Sequence, residues 1–142
     1  MKQDYYGTKR VSAWPEIRHN RDGYAVEYSD GYISWVPKDT FEAAYQPLDR
    51  LSFGHAIAAL KAGHKVARAG WNGKGMFLFL VPGSRFEVNR FPLLGIYPEG
   101  TVIDYCPHID MRTADGKIVP WLASQTDVLA DDWSIVEGTR EK

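Results

Sequence analysis

Between Lys65 and Ser84 the chain reads KVARAGWNGKGMFLFLVPGS, and the turn at its centre gathers residue types that suit a flat, anionic ligand. Trp71 offers an aromatic face for stacking. Asn72 carries a side-chain amide that both donates and accepts, which fits a purine edge or a sugar hydroxyl. Gly73 and Gly75 have no Cβ, so the backbone there can take positive φ and bring N–H groups close to an anion. Lys74 adds positive charge. The same residues also describe a plain hairpin turn, with glycines serving geometry and the Trp belonging to the core, and spacing alone does not separate the two readings.

Further groups fit the same ligand chemistry. Phe53 follows Ser52, a good helix N-cap, so its ring is either a second stacking wall or the anchor of its helix. The N–H groups of that first turn, near Phe53 and Gly54, point outward and can receive a phosphate. Arg68, Arg90 and Arg112 can each pair a phosphate bidentately or stand as solvated charges. Ser124-Gln125-Thr126-Asp127 has capping-box spacing, in which the Ser124 hydroxyl accepts from the N3 amide and Asp127 reaches back to the Ser124 N–H. Gln125 and Thr126 are left as spare donors.

Catalytic constellations are thin. His19, His55, His64 and His108 are scattered, and none shows metal-site spacing. His108 and Asp110 share one strand face but lack a third ligand. Cys106 has no evident base partner and reads as a small core residue. No metal, cofactor or enzymatic activity is expected.

These side chains need a scaffold, and 142 residues allow one domain, or a small domain with an appendage. Five Trp and eight Tyr favour β-rich structure and flat contact surfaces. The net charge of −1 argues against a broad polyphosphate-tracking face, so no nucleic-acid polymer is expected as partner. A single cysteine and a start without an apolar h-region point to a reducing, cytoplasmic setting. The longest apolar run, Met76 to Pro82, is too short to span a bilayer.

Residues 1 to about 50 read as a small β-rich unit. TKRVSAW, DGYAVEY and DGYISWVP alternate apolar and polar residues, with tight turns expected at Asp22-Gly23 and Asp30-Gly31. KDTFEAAY predicts one or two helical turns, stopped by Pro47. Residues 51–142 read as an α+β core domain, an antiparallel sheet with two short helices. Ser52 caps the first helix, Phe53, Ile57 and Leu60 recur along it, and Gly63 ends it. Lys65 to Ala69 and Met76 to Val81 pair as a hairpin, and Arg85 to Tyr97 is irregular, with RFPLLGIYPEG apolar enough to be covered by a subunit or a tucked loop. IDMRT and KIVPW flank a turn at Ala114-Asp115-Gly116. A helix from Ser124 should run to about Asp132, Trp133 to Val136 closes as a strand, and GTREK is a solvated tail.

The blocks LSFGHAIAALKAGHKVARAGWNGKGMFLFLVPGS, RFPLLGIYPEGT and YCPHIDMRTADGKIVPWLASQTDVLADDW, in that order, resemble the type-two Thoeris anti-defence proteins of phages from roughly Leu51 to Val136. The resemblance implies a small α+β protein that assembles as a homotetramer and acts as a sponge in the host cytoplasm. Such proteins bind the cyclic ADP-ribose-type signal of bacterial TIR-domain sensors, in glycocyclic form, without cleaving it. Some relatives also bind cyclic oligonucleotides made by cGAS-like enzymes. Carried onto this chain, the resemblance strengthens the assignment of Trp71, with Phe53, Arg68, Asn72, Gly73, Lys74, Gln125 and Thr126 as the remaining ligand-binding candidates. GTK, DGYISW and PKDTFEAAYQP mark the first fifty residues as an extension seen on phage-encoded relatives. Two rivals remain at this level: a hydrolase of the same signal, and a phage structural or adaptor protein that uses the aromatic N-terminal unit.

Overall fold

The computed structural model describes residues 1–136; the GTREK segment lies outside the described residues. The chain divides into two compact units, Met1–Leu48 and everything from Asp49 onward.

In the first unit three strands, β1 (Ser12–Pro15), β2 (Gly23–Glu27) and β3 (Ile33–Pro37), form an antiparallel sheet in the order β1-β2-β3. Helix α1 (Lys38–Ala44) follows directly. Ala25 and Val26, both on β2, are the unit's buried hydrophobic residues. Phe41 stacks between Tyr24 and Tyr45, with ring centroids 4.3 and 4.8 Å away. The turn at Asp30-Gly31 forms as expected, with Gly31 at φ 88. The one expected at Asp22-Gly23 does not. The chain instead reverses at His19 and Asn20, both at positive φ, closed by reciprocal backbone hydrogen bonds between Arg18 and Arg21 at 2.9 and 3.0 Å. Asn tolerates the left-handed region, and two such residues in succession build the turn that matches strand twist. Gly23 is needed inside β2, where a Cβ would lie 2.4 Å from the Trp35 ring. The first strand also begins at Ser12 rather than near Thr8.

The second unit is an antiparallel five-stranded sheet with short helices, giving the chain its α+β class. Its helix α2 (Phe53–Lys61) starts where Ser52 Oγ accepts from the His55 N–H at 3.3 Å. It ends in a left-handed Gly63, with Gly63 N–H on the Leu60 carbonyl and His64 N–H on the Ala59 carbonyl. Those two bonds satisfy carbonyls that the helix end would otherwise orphan. The strands are β4 (Lys65–Arg68), β5 (Phe77–Val81), β8 (His108–Arg112), β9 (Ile118–Pro120) and β10 (Trp133–Val136), in the order β10-β4-β5-β8-β9. Leu51, Ala56, Ala59, Leu60, Val66, Leu78 and Trp133 make the core under α2.

Beyond β5 the chain does not become irregular at Arg85, as its prolines and glycines predict. Ser84–Glu87 is a strand, β6, paired with β7 (Val102–Tyr105). The β5/β8 and β6/β7 pairings share one register without an inserted residue, so they form a single ribbon. Pro82 and Pro107 fall opposite each other in that register, and neither can donate to the ladder, which is why it breaks there. Cys106 sits at this break and is exposed, not a core residue. Only residues 88–101 remain irregular, including a 3₁₀ turn at Leu93–Gly95. On this stretch Leu93 and Leu94 are half-buried, while Phe91 and Ile96 are 76% and 68% exposed, so the loop is covered only in part by the described residues.

Helix α3 (Gln125–Val128) is shorter than the expected run to Asp132. The Asp127 carbonyl, which a longer helix would give to residue 131, instead accepts the Trp133 indole N–H at 2.9 Å. Among the described residues no helix is long and apolar enough to cross a membrane.

Candidate ligand-binding site

Strand β4 delivers Arg68 to the mouth of the 69–76 turn, opposite Trp133 on β10. An arginine at the end of an apolar strand must find acceptors, and it finds two carboxylates. Arg68 Nε and Nη2 donate to the two oxygens of Asp132 at 2.8 and 3.3 Å, while Nη1 donates to Asp127 Oδ1 at 2.8 Å. Its side chain is only 14% exposed. Asp132 also accepts the Gly70 N–H at 2.8 Å, fixing where the turn begins.

Trp71 joins the same network. Its indole N–H donates to Asp127 Oδ1 at 3.2 Å, and its ring meets the fully buried Trp133 edge-on, centroids 5.4 Å apart at 82°. Asp127 thus accepts from two indoles and a guanidinium, through carboxylate and carbonyl together. Ser124 Oγ caps α3 by accepting the Asp127 N–H at 3.0 Å, so the helix entrance and the Trp turn are locked together. Trp71 is half-buried: part of its surface rests on the core and the rest faces solvent.

Two further contacts pin the turn's far side. A Cβ on Gly73 would lie 2.6 Å from Met76 Sδ and 2.7 Å from the Ala114 Cβ, so this glycine permits close packing on the β8–β9 turn. Positive φ, anticipated at both glycines, occurs only at Gly75, φ 73. The Gly75 carbonyl accepts from Arg112 Nη1 at 2.9 Å. Arg112 is therefore engaged in holding the turn.

The network shifts three titrations. Burial pushes the Asp127 carboxyl up, but Arg68, the Trp71 indole and Ser124 outweigh it and hold it below the ordinary carboxylate range. Asp132 is held low chiefly by Arg68, against partial burial, with the Gly70 N–H assisting. Arg68 is raised by Asp132 and then Asp127. One guanidinium between two carboxylates carries a formal excess of negative charge. Arg68, named as a ligand-binding candidate, is engaged here by both carboxylates, and a phosphate would have to displace one of them to reach it.

The remaining sequence candidates fall at different distances from this centre. Asn72 and Lys74 are exposed on the turn, and Lys74 has no hydrogen bond or ion pair among the described residues. Gln125 and Thr126 are exposed on the first turn of α3, immediately before Asp127. Phe53 is half-buried, 5.4 Å from Trp133 and 6.0 Å from Trp121, so it flanks the same buried indole that Trp71 touches. Arg90 lies in the 88–101 stretch, away from this network. Asp127, Asp132, Trp133 and Ala114 were not among the sequence candidates; the signal for the two carboxylates was Arg68 itself, a charge on a strand that also carries the buried Val66. His108 Nε2 stands 3.5 Å from Asp110 Oδ1, and among the described residues no cluster of three His, Cys, Asp or Glu could hold a metal.

Fold and site together define a small α+β protein whose second unit presents a clamped tryptophan at a glycine-rich turn rimmed by polar side chains. That unit coincides with a family profile described as Tad2-like, the Thoeris anti-defense 2-like domain, which matches residues 51–136, and the chain belongs to that family. Thoeris anti-defense 2 of Bacillus phage SP01 is 46% identical to this chain over 87 residues, which cover 61% of this chain and 96% of that protein. The first unit lies outside the family match.

Proposed function

We propose that the chain is a phage anti-defence protein that binds and sequesters a cyclic ADP-ribose-type immune signal, glycocyclic ADP-ribose, without cleaving it, and so blocks Thoeris-type immunity. Family membership supports the anti-defence role. The observation that carries the ligand is the clamped Trp71: a half-open indole held by a half-buried carboxylate, beside the exposed Asn72 amide and Lys74 ammonium. Stacking a base is worth about 1–3 kcal/mol, and a ring already fixed in place loses little further freedom on binding. Lys74 supplies the charge for a phosphate, while Asn72, Gln125 and Thr126 supply donors for ribose and adenine edges.

Assembly is part of the same proposal. The exposed Phe91, Ile96 and Tyr97 give each chain an apolar surface that a homotetramer would cover, and ligand pockets would form where protomers meet. The deciding experiment incubates the protein with glycocyclic ADP-ribose, denatures it by heat and assays the supernatant. Intact ligand in full yield supports sequestration. Its loss would favour hydrolysis, with His108 and Asp110 as the first pair to substitute.

A further inference from the structure

We infer that the N-terminal unit has a ligand site of its own, a shallow pocket for an anionic planar molecule of nucleoside-monophosphate size. A concavity of about 310 Å³ is lined by Lys9, Arg10, Tyr28, Ser29, Asp30 and Tyr32. Small-molecule sites begin at about 300 Å³, so one base with its sugar and phosphate is the upper limit here. All six residues precede the segment that the family profile covers.

The floor of the pocket is a turn closed by three hydrogen bonds. Tyr28 N–H donates to the Tyr32 carbonyl and Gly31 N–H to the Tyr28 carbonyl, each at 2.9 Å, and Asp30 Oδ1 accepts the Tyr32 N–H at 3.0 Å. This turn sets the two tyrosine rings 6.0 Å apart and within 21° of parallel. Packing does not account for them: the unit's buried residues are Gly23, Ala25 and Val26, and Tyr32 is 65% exposed. Lys9 Nζ lies over the Tyr28 ring, 4.4 Å from its centroid, so a cation is held on the face of this aromatic pair.

Each part matches one part of a nucleotide. A base stacks on the open face of Tyr32, in line with the ring pair, and stacking of this kind is tolerant of base identity. The Lys9 ammonium meets the phosphate, and the Asp30 oxygen not used by the turn accepts a ribose hydroxyl. Asp30 also repels a second phosphate close by, which favours a monophosphate over a polyanion.

The test is an NMR titration of the full-length chain with adenosine 5′-monophosphate, with inorganic phosphate as the control. The expected result is saturable movement of the Ser29, Gly31 and Tyr32 amides with the nucleotide and little with phosphate. Tyr32→Ala should weaken the nucleotide tenfold or more, Lys9→Glu at least fivefold, and Trp71→Ala should leave these shifts unchanged. Tyr32 and Lys9 are at the surface, so both variants are expected to keep the wild-type spectrum elsewhere. No shift at residues 28–32, equal response to phosphate alone, or a response that vanishes in Trp71→Ala and survives in Tyr32→Ala would each overturn the inference.

Discussion

Two turns of this chain present an aromatic ring to solvent, and they are held in opposite ways. The 69–76 turn is fixed from outside itself: its Trp71 and Arg68 donate to Asp127 and Asp132, which lie 56 to 64 residues further along the chain. The Tyr28–Tyr32 turn is fixed from within, by backbone bonds and one side chain two residues away. A turn held by remote charges stands or falls with the tertiary structure, whereas a turn held locally is nearly independent of it. Both rely on a glycine, but in different ways: Gly73 lets the first turn pack closely on Ala114, a distant partner, whereas Gly31 lets the second adopt a positive φ that is its own.

The strongest way to break the outside-held turn is to remove what lies beneath it. Trp133→Ala deletes a fully buried indole that touches Phe53, Trp71 and Trp121 and donates to the Asp127 carbonyl. The expected cost is about 3–5 kcal/mol, read by urea denaturation, with loss of ligand binding in any variant that still folds.

Arg68→Ala comes next. It leaves Asp127 and Asp132 facing each other without their shared cation, in a cluster that keeps some contact with water. That exposure brings the expected cost down to about 2 kcal/mol, below the value for a fully buried pair. Acid should do the same reversibly. Both carboxyls titrate below their unfolded values, so their contribution is complete above the ordinary carboxylate pKa of about 3.9 and is lost as pH falls through the lower folded values. A melting-temperature series downward from neutral pH should fall more steeply for wild type than for Asp127→Asn/Asp132→Asn in the region below pH about 4. Parallel curves would remove these residues from the account.

How much of this was legible in the sequence follows the same division. Ser52 and Ser124 as caps, Gly63 as a stop, and the turns at Gly31 and Gly116 were readable because each rests on a residue's own φ or on a partner two to four positions away. Asp127 was readable as half of a capping box; its carboxylate bonds to Arg68 and Trp71 were not, since they depend on β4, α3 and β10 meeting in space. The same holds for β6, whose partner β7 supplies the ladder that its own composition does not announce. Cys106 was misread for a related reason, because only the cross-strand meeting of Pro82 and Pro107 reveals the break where it emerges.

Trp71 sharpens the comparison at the level of binding. Trp71→Ala should weaken glycocyclic ADP-ribose roughly ten- to a hundredfold by calorimetry, the worth of one stacked base, while the tetramer proposed above stays intact by light scattering. Trp71→Phe keeps a ring but loses the indole N–H that Asp127 accepts. Its affinity should fall between the other two if orientation matters as well as area. An affinity equal to wild type would mean that Asp127 does nothing for Trp71.

The smallest effect belongs to the inside-held turn. Asp30→Ala removes one hydrogen bond at an exposed position, and the turn remains closed by the Tyr28–Tyr32 and Gly31–Tyr28 backbone bonds. A single exposed bond of this type is worth about 0.5–1 kcal/mol net, and water replaces it at once. Amide exchange of the β2 and β3 strands should therefore slow or quicken by no more than a few-fold. The second unit's core amides should not respond at all, since among the described residues the Asp30 side chain bonds only within its own turn. A loss comparable to that of Arg68→Ala would show that this turn too depends on distant partners, and the contrast between the two would fail.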